Sequence, residues 1–117
     1  MTKTKIRLQE QVEGKALVVK LLDSRFDASV APVVKERFAE LIREGHQRIA
    51  LDISQVEFID STGLSAAVWA LKRLGEDGEL VISGAHGAVM SILRLTRLDK
   101  VFRIFPDTEM AIAALSG

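Results

Sequence analysis

The most concentrated set of reactive groups in the sequence is the segment Asp60-Ser61-Thr62-Gly63. It places a carboxylate beside two hydroxyls, directly after a predicted strand and at the start of a predicted apolar helix. Ser61 could therefore serve as a helix cap, or as a site where one phosphate changes a surface. A phosphate adds about −1.5 to −2 charges, which would make the surface beside Asp60 strongly negative. The positive end of the helix dipole tolerates such a charge, so the domain need not unfold.

Three enzyme-like chemistries are weaker interpretations of these residues. Nucleophilic catalysis by Ser61 would need a base within reach; His86 and Asp27 can be drawn into a triad, but the Gly-x-Ser-x-Gly elbow is missing. Residues 83–87 hold two glycines before a helix but no Gly-Lys-Ser/Thr, which favours a tight turn over a phosphate loop. Asp27 and Asp60 alone would seldom hold a metal. The sequence therefore predicts no enzyme, metal site or cofactor.

Composition restricts the functional classes further. The chain has 117 residues, of which 48% are hydrophobic, so a single domain with a core is predicted over residues 1–117. Sixteen Lys and Arg balance 16 Asp and Glu, without the basic excess that nucleic-acid binding uses. No apolar run approaches the ~20 residues of a membrane span, the first seven residues do not look like a signal peptide, and cysteine is absent. We expect a cytoplasmic protein that binds no nucleic acid and does not insert into membranes.

Hydrophobic periodicity predicts the elements that position the Ser61 segment. The alternating residues 6–12 and the apolar run 16–22 predict a hairpin around a turn at Gly14. Strand and helix patterns then alternate, with strands at 48–53, 79–83 and 101–105, and helices at about 30–44, 61–74, 88–96 and 107–115. The predicted fold class is one α/β domain, in which a mixed sheet of the hairpin and parallel strands packs against about four helices.

This strand order has a functional consequence. Loops that follow strands joined by crossover helices gather along one edge of the sheet. The loops 23–29, 54–60 and 84–87 should therefore meet there. The resulting candidate surface carries Asp27, Asp60, Ser61, Ser83 and His86.

The helix after Ser61 adds a second feature. At ~100° per residue, its predicted buried stripe consists of Leu64, Ala67, Val68, Leu71 and Leu74. A neighbouring face carries Ser61, Ser65, Trp69 and Lys72. Trp69, the only tryptophan, is then either a partly exposed interface residue beside Ser61 or a ring folded over the edge of the core.

The segment Val56-Glu57-Phe58-Ile59-Asp60-Ser61-Thr62-Gly63-Leu64 resembles the signature of bacterial STAS-domain anti-sigma-factor antagonists. The resemblance extends over nearly the whole chain, including Phe26-Asp27 and the run 92–102. It implies a partner switch. The unphosphorylated protein binds a serine kinase of the histidine-kinase-like ATPase fold, usually also an anti-sigma factor, and so releases a sigma factor or another regulator. Phosphorylation of the signature serine ends this binding, and a PP2C-type phosphatase reverses the modification.

By this resemblance, Ser61 is the phosphate acceptor and Asp27 belongs to the docking edge. The predicted partner-binding surface consists of Asp27, Asp60, Ser61, Thr62, Gly63, Ser65, Trp69, Ser83 and Gly84. The chain departs from the family pattern in two places. Ser24-Arg25-Phe26-Asp27 stands where the family often has Gly-Glu-Leu-Asp, and Arg97 stands where glycine is common.

Two other functions remain open at this point. A constitutive accessory subunit, like the STAS proteins attached to phospholipid ABC transporters, would dock without serine phosphorylation. A small molecule or nucleotide could instead bind at residues 83–87. A neighbouring kinase or phosphatase gene would favour the switch, and a transporter operon would favour the accessory subunit.

Overall fold

The structure, a computed structural model, describes residues 7–116 and alternates strands with helices. In chain order its elements are β1 (Leu8–Glu13), β2 (Ala16–Leu21), β3 (Arg25–Phe26), α1 (Ala31–Arg43), β4 (Arg48–Asp52), β5 (Phe58–Ile59), α2 (Ser61–Leu74), β6 (Glu79–Ser83), α3 (Gly87–Leu95), β7 (Ile104–Phe105) and α4 (Thr108–Ser116). A short 3-10 turn over Leu98–Lys100 separates α3 from β7.

Five of the strands form a mixed sheet in the order β1-β2-β4-β6-β7. Strands β1 and β2 are antiparallel, whereas β2, β4, β6 and β7 pair parallel to one another, with helices as the crossovers. The predicted α/β fold with a mixed sheet and four helices is confirmed. Residue 6, predicted to open the first strand, lies outside the described residues, as do residues 1–5 and 117.

The two faces of the sheet carry different hydrophobic clusters. On one face, strand residues such as Leu51 and Ile82 pack against α1, α2 and α3. On the other face, smaller residues such as Ala50 and Val81 pack against α4. This separation follows from the strand geometry, because successive side chains point to opposite faces. Helices α1 and α2, which connect parallel strands on the same face, run in the same direction and start near each other.

Two segments predicted to be loops contain short strands. The loops 23–29 and 54–60 include β3 and β5, which pair parallel as a separate two-stranded sheet beside the start of α2. A strand of two residues is too short for alternation to appear in the sequence. The last predicted strand, 101–105, is too long: Val101 closes the 3-10 turn, and strand pairing begins at Ile104.

Arg97, between α3 and the 3-10 turn, has a left-handed backbone with φ of 64°. In this region a Cβ approaches the following carbonyl oxygen, which costs a non-glycine residue roughly 1–2 kcal/mol. Arg97→Gly should remove this strain, although glycine also gives the unfolded chain more conformational entropy, which offsets part of the gain. We expect the free energy of unfolding, measured in urea, to rise by about 0.5–1 kcal/mol. Arg94→Gly is the control, because Arg94 is helical and should show no gain. An Arg97→Gly variant less stable than wild type would contradict the claim that the backbone of Arg97 is strained.

Candidate functional site

Asp60, and not Ser61, caps helix α2. Its Oδ1 accepts hydrogen bonds from the backbone N–H groups of Thr62 at 2.9 Å and Gly63 at 3.2 Å, and from the Thr62 hydroxyl at 2.5 Å. Ser61 is consequently the first helical residue. It is exposed, and its hydroxyl makes no hydrogen bond within the described part of the chain. The interpretation of Ser61 as a permanent helix cap is therefore wrong.

The cap also fixes the charge of Asp60. The hydrogen bond from the Thr62 hydroxyl lowers the pKa of the Asp60 carboxyl, and the backbone N–H groups of Gly63 and Thr62 add to this effect. Desolvation and the neighbouring charge of Asp27 act in the opposite direction without reversing the shift. Asp60 is thus ionised at neutral pH, at the positive end of the helix dipole.

Asp60→Ala should lower the melting temperature at pH 7 by a few degrees, because it leaves two backbone N–H groups without their acceptor. Asp60→Asn is the matched control, since asparagine caps equally well without a charge. The folded pKa of Asp60 lies below its unfolded value. Its contribution is therefore fully present above about pH 4 and is lost as the pH falls through the folded pKa. The deficit of Asp60→Ala should shrink accordingly in acid. Equal melting of both proteins at pH 7 would refute the capping role.

A second carboxylate, Asp27, lies on the same edge of the molecule. Its Oδ1 accepts hydrogen bonds from the Ser29 backbone N–H at 3.1 Å and from the Ser29 hydroxyl at 2.8 Å, and its Oδ2 is 3.0 Å from Arg25 Nε. The Ser29 hydroxyl, followed by Arg25, lowers the pKa of Asp27. Asp27 is close enough to Asp60 for its charge to affect the pKa there. The start of α2 therefore has two ionised carboxylates beside it, of which Asp27 is paired with Arg25 and Asp60 has no ion pair within the described residues.

Because Gly63 has no side chain, β3 can pack directly against the first turn of α2. A Cβ at Gly63 would lie 2.3 Å from the carbonyl oxygen of Phe26 and 3.0 Å from its ring carbon Cγ. The same carbonyl accepts a hydrogen bond from the Asp60 N–H at 3.4 Å. Only glycine permits this approach, which places Asp27, the residue after Phe26, beside the first turn of α2.

An open groove of about 580 Å³ lies between the first turns of α1 and α2. We call it the Ser61 groove. One side presents the hydroxyls of α2, and the other presents the α1 residues Pro32 and Lys35. Its lining residues are Ala28, Ala31, Pro32, Lys35, Ser61, Thr62, Ser65 and Ala66. The surface is mainly apolar, with Lys35 as the one charged side chain among these residues, so it suits another protein's side chains.

Trp69 is half-buried, and two cations flank its ring. Lys35 Nζ lies 5.2 Å and Arg73 Cζ 5.9 Å from the ring centroid, within cation–π range. Each alternative for Trp69 holds in part, because the ring packs on the core and is still accessible. A smaller groove of about 350 Å³ contains Trp69 and shares Ser65 with the Ser61 groove. It is lined by Leu64, Ser65, Val68, Trp69 and Lys72.

The buried face of α2 is rotated from the predicted stripe. Leu64, Val68 and Leu71 are only half-buried. The residues that are buried are mostly small: Gly63, Ala66, Ala67, Ala70 and Leu74. These small side chains let α2 pack closely against α1 and the sheet. The larger apolar side chains are left at the margin, where Leu64 and Val68 line the smaller groove.

The predicted surface is wrong for Ser83, which is fully buried. Its Oγ lies 3.2 Å from the hydroxyl oxygen of Thr108, and that hydroxyl donates to Asp52 Oδ2 at 2.9 Å. Strand alternation directs Ser83 to the face covered by α4, opposite to Ile82. Ser83 cannot contact a partner docked at Ser61. The sequence analysis also missed the buried Asp52, since nothing in its sequence neighbourhood distinguishes it.

The loops after β4 and β6 meet, as predicted, but they do not form a catalytic triad. His86 Nε2 lies 3.0 Å from the carbonyl oxygen of Ser54, and His86 precedes the first turn of α3. Gly84, with φ of 81°, packs so closely that a Cβ would lie 2.7 Å from Ser54 Cβ. Within residues 7–116, no hydrogen bond joins His86 or Asp27 to Ser61.

Sequence reasoning missed a cation–aromatic pair at the site. Phe58 is 40% exposed, and Arg25 Cζ lies 4.3 Å from its ring centroid. Arg25 also pairs with Asp27, so the short β3–β5 sheet joins an exposed aromatic ring to the acidic edge. The departure from the family pattern at Arg25 was the available signal, but the pairing of β3 with β5 could not be read from it.

Residues 7–111 match the STAS domain family, and the chain belongs to that family. It is 26% identical over 106 residues to the anti-sigma-B factor antagonist of Staphylococcus aureus, which covers 90% of this chain and 97% of that protein. Its fold is similar to an anti-sigma factor antagonist from Mycobacterium paratuberculosis (TM-score 0.86, 23% identity, 94% and 93% of the two chains). It is also similar to the Bacillus cell fate determinant SpoIIAA in the phosphorylated form (TM-score 0.72, 16% identity, 92% and 98%).

The described residues contain neither a metal-binding group of side chains nor a membrane-spanning helix. Among residues 7–116, no three His, Asp or Glu side chains are grouped to hold a metal ion. None of the helices described combines the length and apolar character needed to cross a bilayer.

Proposed function

We propose that this protein is an anti-sigma-factor antagonist that acts as a phosphorylation-controlled partner switch, with Ser61 as the phosphate acceptor. The observation that carries the proposal is the exposed Ser61 hydroxyl at the start of α2, which has no hydrogen-bonding role in the described chain. Such a hydroxyl can be modified without breaking a structural contact. The name of the Staphylococcus aureus relative and the phosphorylated state of the SpoIIAA structure support the proposal.

In the proposed cycle, the unphosphorylated protein docks through the Ser61 groove and the acidic edge formed by Asp27 and Asp60. The partner is a serine kinase of the histidine-kinase-like ATPase fold, which is also an anti-sigma factor. Docking withdraws it from its target, a sigma factor or another regulator in the cytoplasm. The contacting surface also includes Thr62, Ser65, Trp69 and Gly84. Gly63 was predicted to belong to it, but Gly63 is buried against Phe26 and acts only by positioning β3 beside α2.

The kinase then transfers the γ-phosphoryl group of ATP to Ser61 Oγ. A bond forms between this oxygen and phosphorus, the bond to the β-phosphate oxygen breaks, and the hydroxyl proton is released. A PP2C-type phosphatase hydrolyses the phosphoserine and restores the hydroxyl.

Electrostatics explain why the modified protein would leave its partner. The phosphate adds about −1.5 to −2 charges beside Asp27 and Asp60, which are already ionised. A partner surface fitted to a small hydroxyl then meets bulk, desolvation and like-charge repulsion. About 3 kcal/mol of differential affinity suffices for a hundredfold change in binding.

A phosphorylation assay with ATP and the candidate kinase tests the acceptor. Wild type should take up one phosphate and Ser61→Ala none. Thr62→Val should still be modified, because the Thr62 hydroxyl donates to Asp60 and is less available than that of Ser61. Ser65→Ala, which removes the remaining hydroxyl of the groove, should be modified too. Stoichiometric phosphate on Ser61→Ala would overturn the assignment.

A further inference from the structure

Lys35 is the one charged side chain that lines the Ser61 groove among the residues described. It makes no ion pair within the described chain and lies over the ring of Trp69 instead. We propose that Lys35 is the binding residue for the phosphate on Ser61, and that its ammonium group moves from Trp69 to the phosphoserine dianion when Ser61 is modified. The use of this site in the cell rests on the proposed function.

The packing of α1 against α2 places Lys35 within reach of such a phosphate. Both helices start at the same end of the molecule, and Ala31 and Ser61, each the first residue of its helix, line the same groove. Lys35 lies one turn after Ala31 in α1, and Ser65 lies one turn after Ser61 in α2. Lys35 is therefore about 6 Å further along the helix direction than the level of Ser61. The flexible four-carbon stem of a lysine can direct its ammonium toward either end of this distance.

The charges around the groove favour this movement after phosphorylation. A dianion on Ser61 would lie beside the ionised Asp60 and near Asp27, which is paired with Arg25, so a further cation would stabilise it. In the unmodified protein Lys35 has a cation–π contact with Trp69 and no ion pair within the described residues. The other charged residues beside that ring, Lys72 and Arg73, are also cations. A charge-assisted hydrogen bond to a phosphate oxygen is stronger than a contact with an exposed aromatic face.

The movement would change both grooves without unfolding the domain. An ion pair between Lys35 and the phosphate would place two charged groups in the Ser61 groove, whose lining is otherwise apolar and hydroxylic. Trp69 would lose Lys35 and keep Arg73 on its ring. A partner that inserts a side chain into the groove would therefore lose its binding site as well as meet a repulsive charge.

Phosphorus NMR titration of protein with phosphoserine installed at position 61 during translation tests the pairing. An adjacent ammonium favours the dianion, so the second pKa of the phosphate should be at least about 0.5 pH units lower in wild type than in Lys35→Gln. Lys72→Gln, which removes a cation from the smaller groove only, should match wild type. Equal phosphate pKa values in wild type and Lys35→Gln would overturn the proposal.

Fluorescence of Trp69, the only tryptophan, gives a second readout. Phosphorylation should change its emission in wild type and leave it unchanged in Lys35→Gln, because only wild type has an ammonium group to withdraw. Should Lys35→Gln fail to fold, Lys35→Met is the substitute, since it keeps the apolar stem.

The test of this pairing is separate from the test of the proposed function. Absence of phosphate on Ser61 in cells would refute the switch and leave the pairing intact. Equal emission changes in wild type and Lys35→Gln would refute the pairing and leave Ser61 as the acceptor.

Discussion

Ser61→Asp, and more strongly phosphorylated Ser61, should bind the kinase partner about a hundredfold more weakly than wild type. The new charge lies on the exposed first residue of α2, next to two ionised carboxylates. It faces the positive end of a helix dipole and displaces no structural hydrogen bond, so the fold should be retained. Titration calorimetry measures the affinity, and circular dichroism should show a spectrum close to that of wild type.

Two control variants separate local charge from general effects. Ser61→Ala should bind like wild type, because the hydroxyl is lost without a new charge. Ser116→Asp makes the same substitution on α4, on the opposite face of the sheet, and should leave binding unchanged. If Ser61→Asp bound as tightly as Ser61→Ala, phosphate on Ser61 could not be what separates the partners.

Gly63→Ala is expected to lower the free energy of unfolding by about 2–3 kcal/mol, although alanine is the better helix former. The added Cβ would lie 2.3 Å from the Phe26 carbonyl oxygen, and this is a backbone atom that cannot rotate away. Either β3 or the first turn of α2 must therefore shift. Urea unfolding measures the loss, and Ser65→Ala, an exposed change one turn further, should stay within about 0.5 kcal/mol of wild type.

The same substitution should also weaken partner binding. The contact between Gly63 and Phe26 holds Asp27 beside Asp60, so a shift of β3 moves one carboxylate away from the docking edge. A Gly63→Ala protein as stable as wild type would show that the contact is looser than the structure indicates.

The position of Ser61 could be predicted because long elements with clear periodicity surround it. The apolar runs of β4, β6 and α2 place the segment at a strand-to-helix junction, and the structure agrees within a residue or two. The choice of Asp60 over Ser61 as the cap could not be predicted, since both types cap helices and the backbone torsions decide between them.

Tertiary packing decided the features that the sequence did not reveal. Ser83 is buried because α4 covers one face of the sheet, and no local pattern indicates which face a short terminal helix will cover. Lys35 is separated from Ser61 by 25 residues and meets the same groove only through the packing of α1 on α2. The β3–β5 pairing likewise joins segments too short to show a period.

Mass spectrometry of the protein purified from its own cells under several growth conditions tests the central claim most directly. The account predicts a phosphorylated fraction of the peptide containing residues 60–63, with the phosphate on Ser61 and a fraction that changes with conditions. Phosphate found only on another residue, or none on this peptide under any condition in which the protein and its kinase are both present, would contradict it.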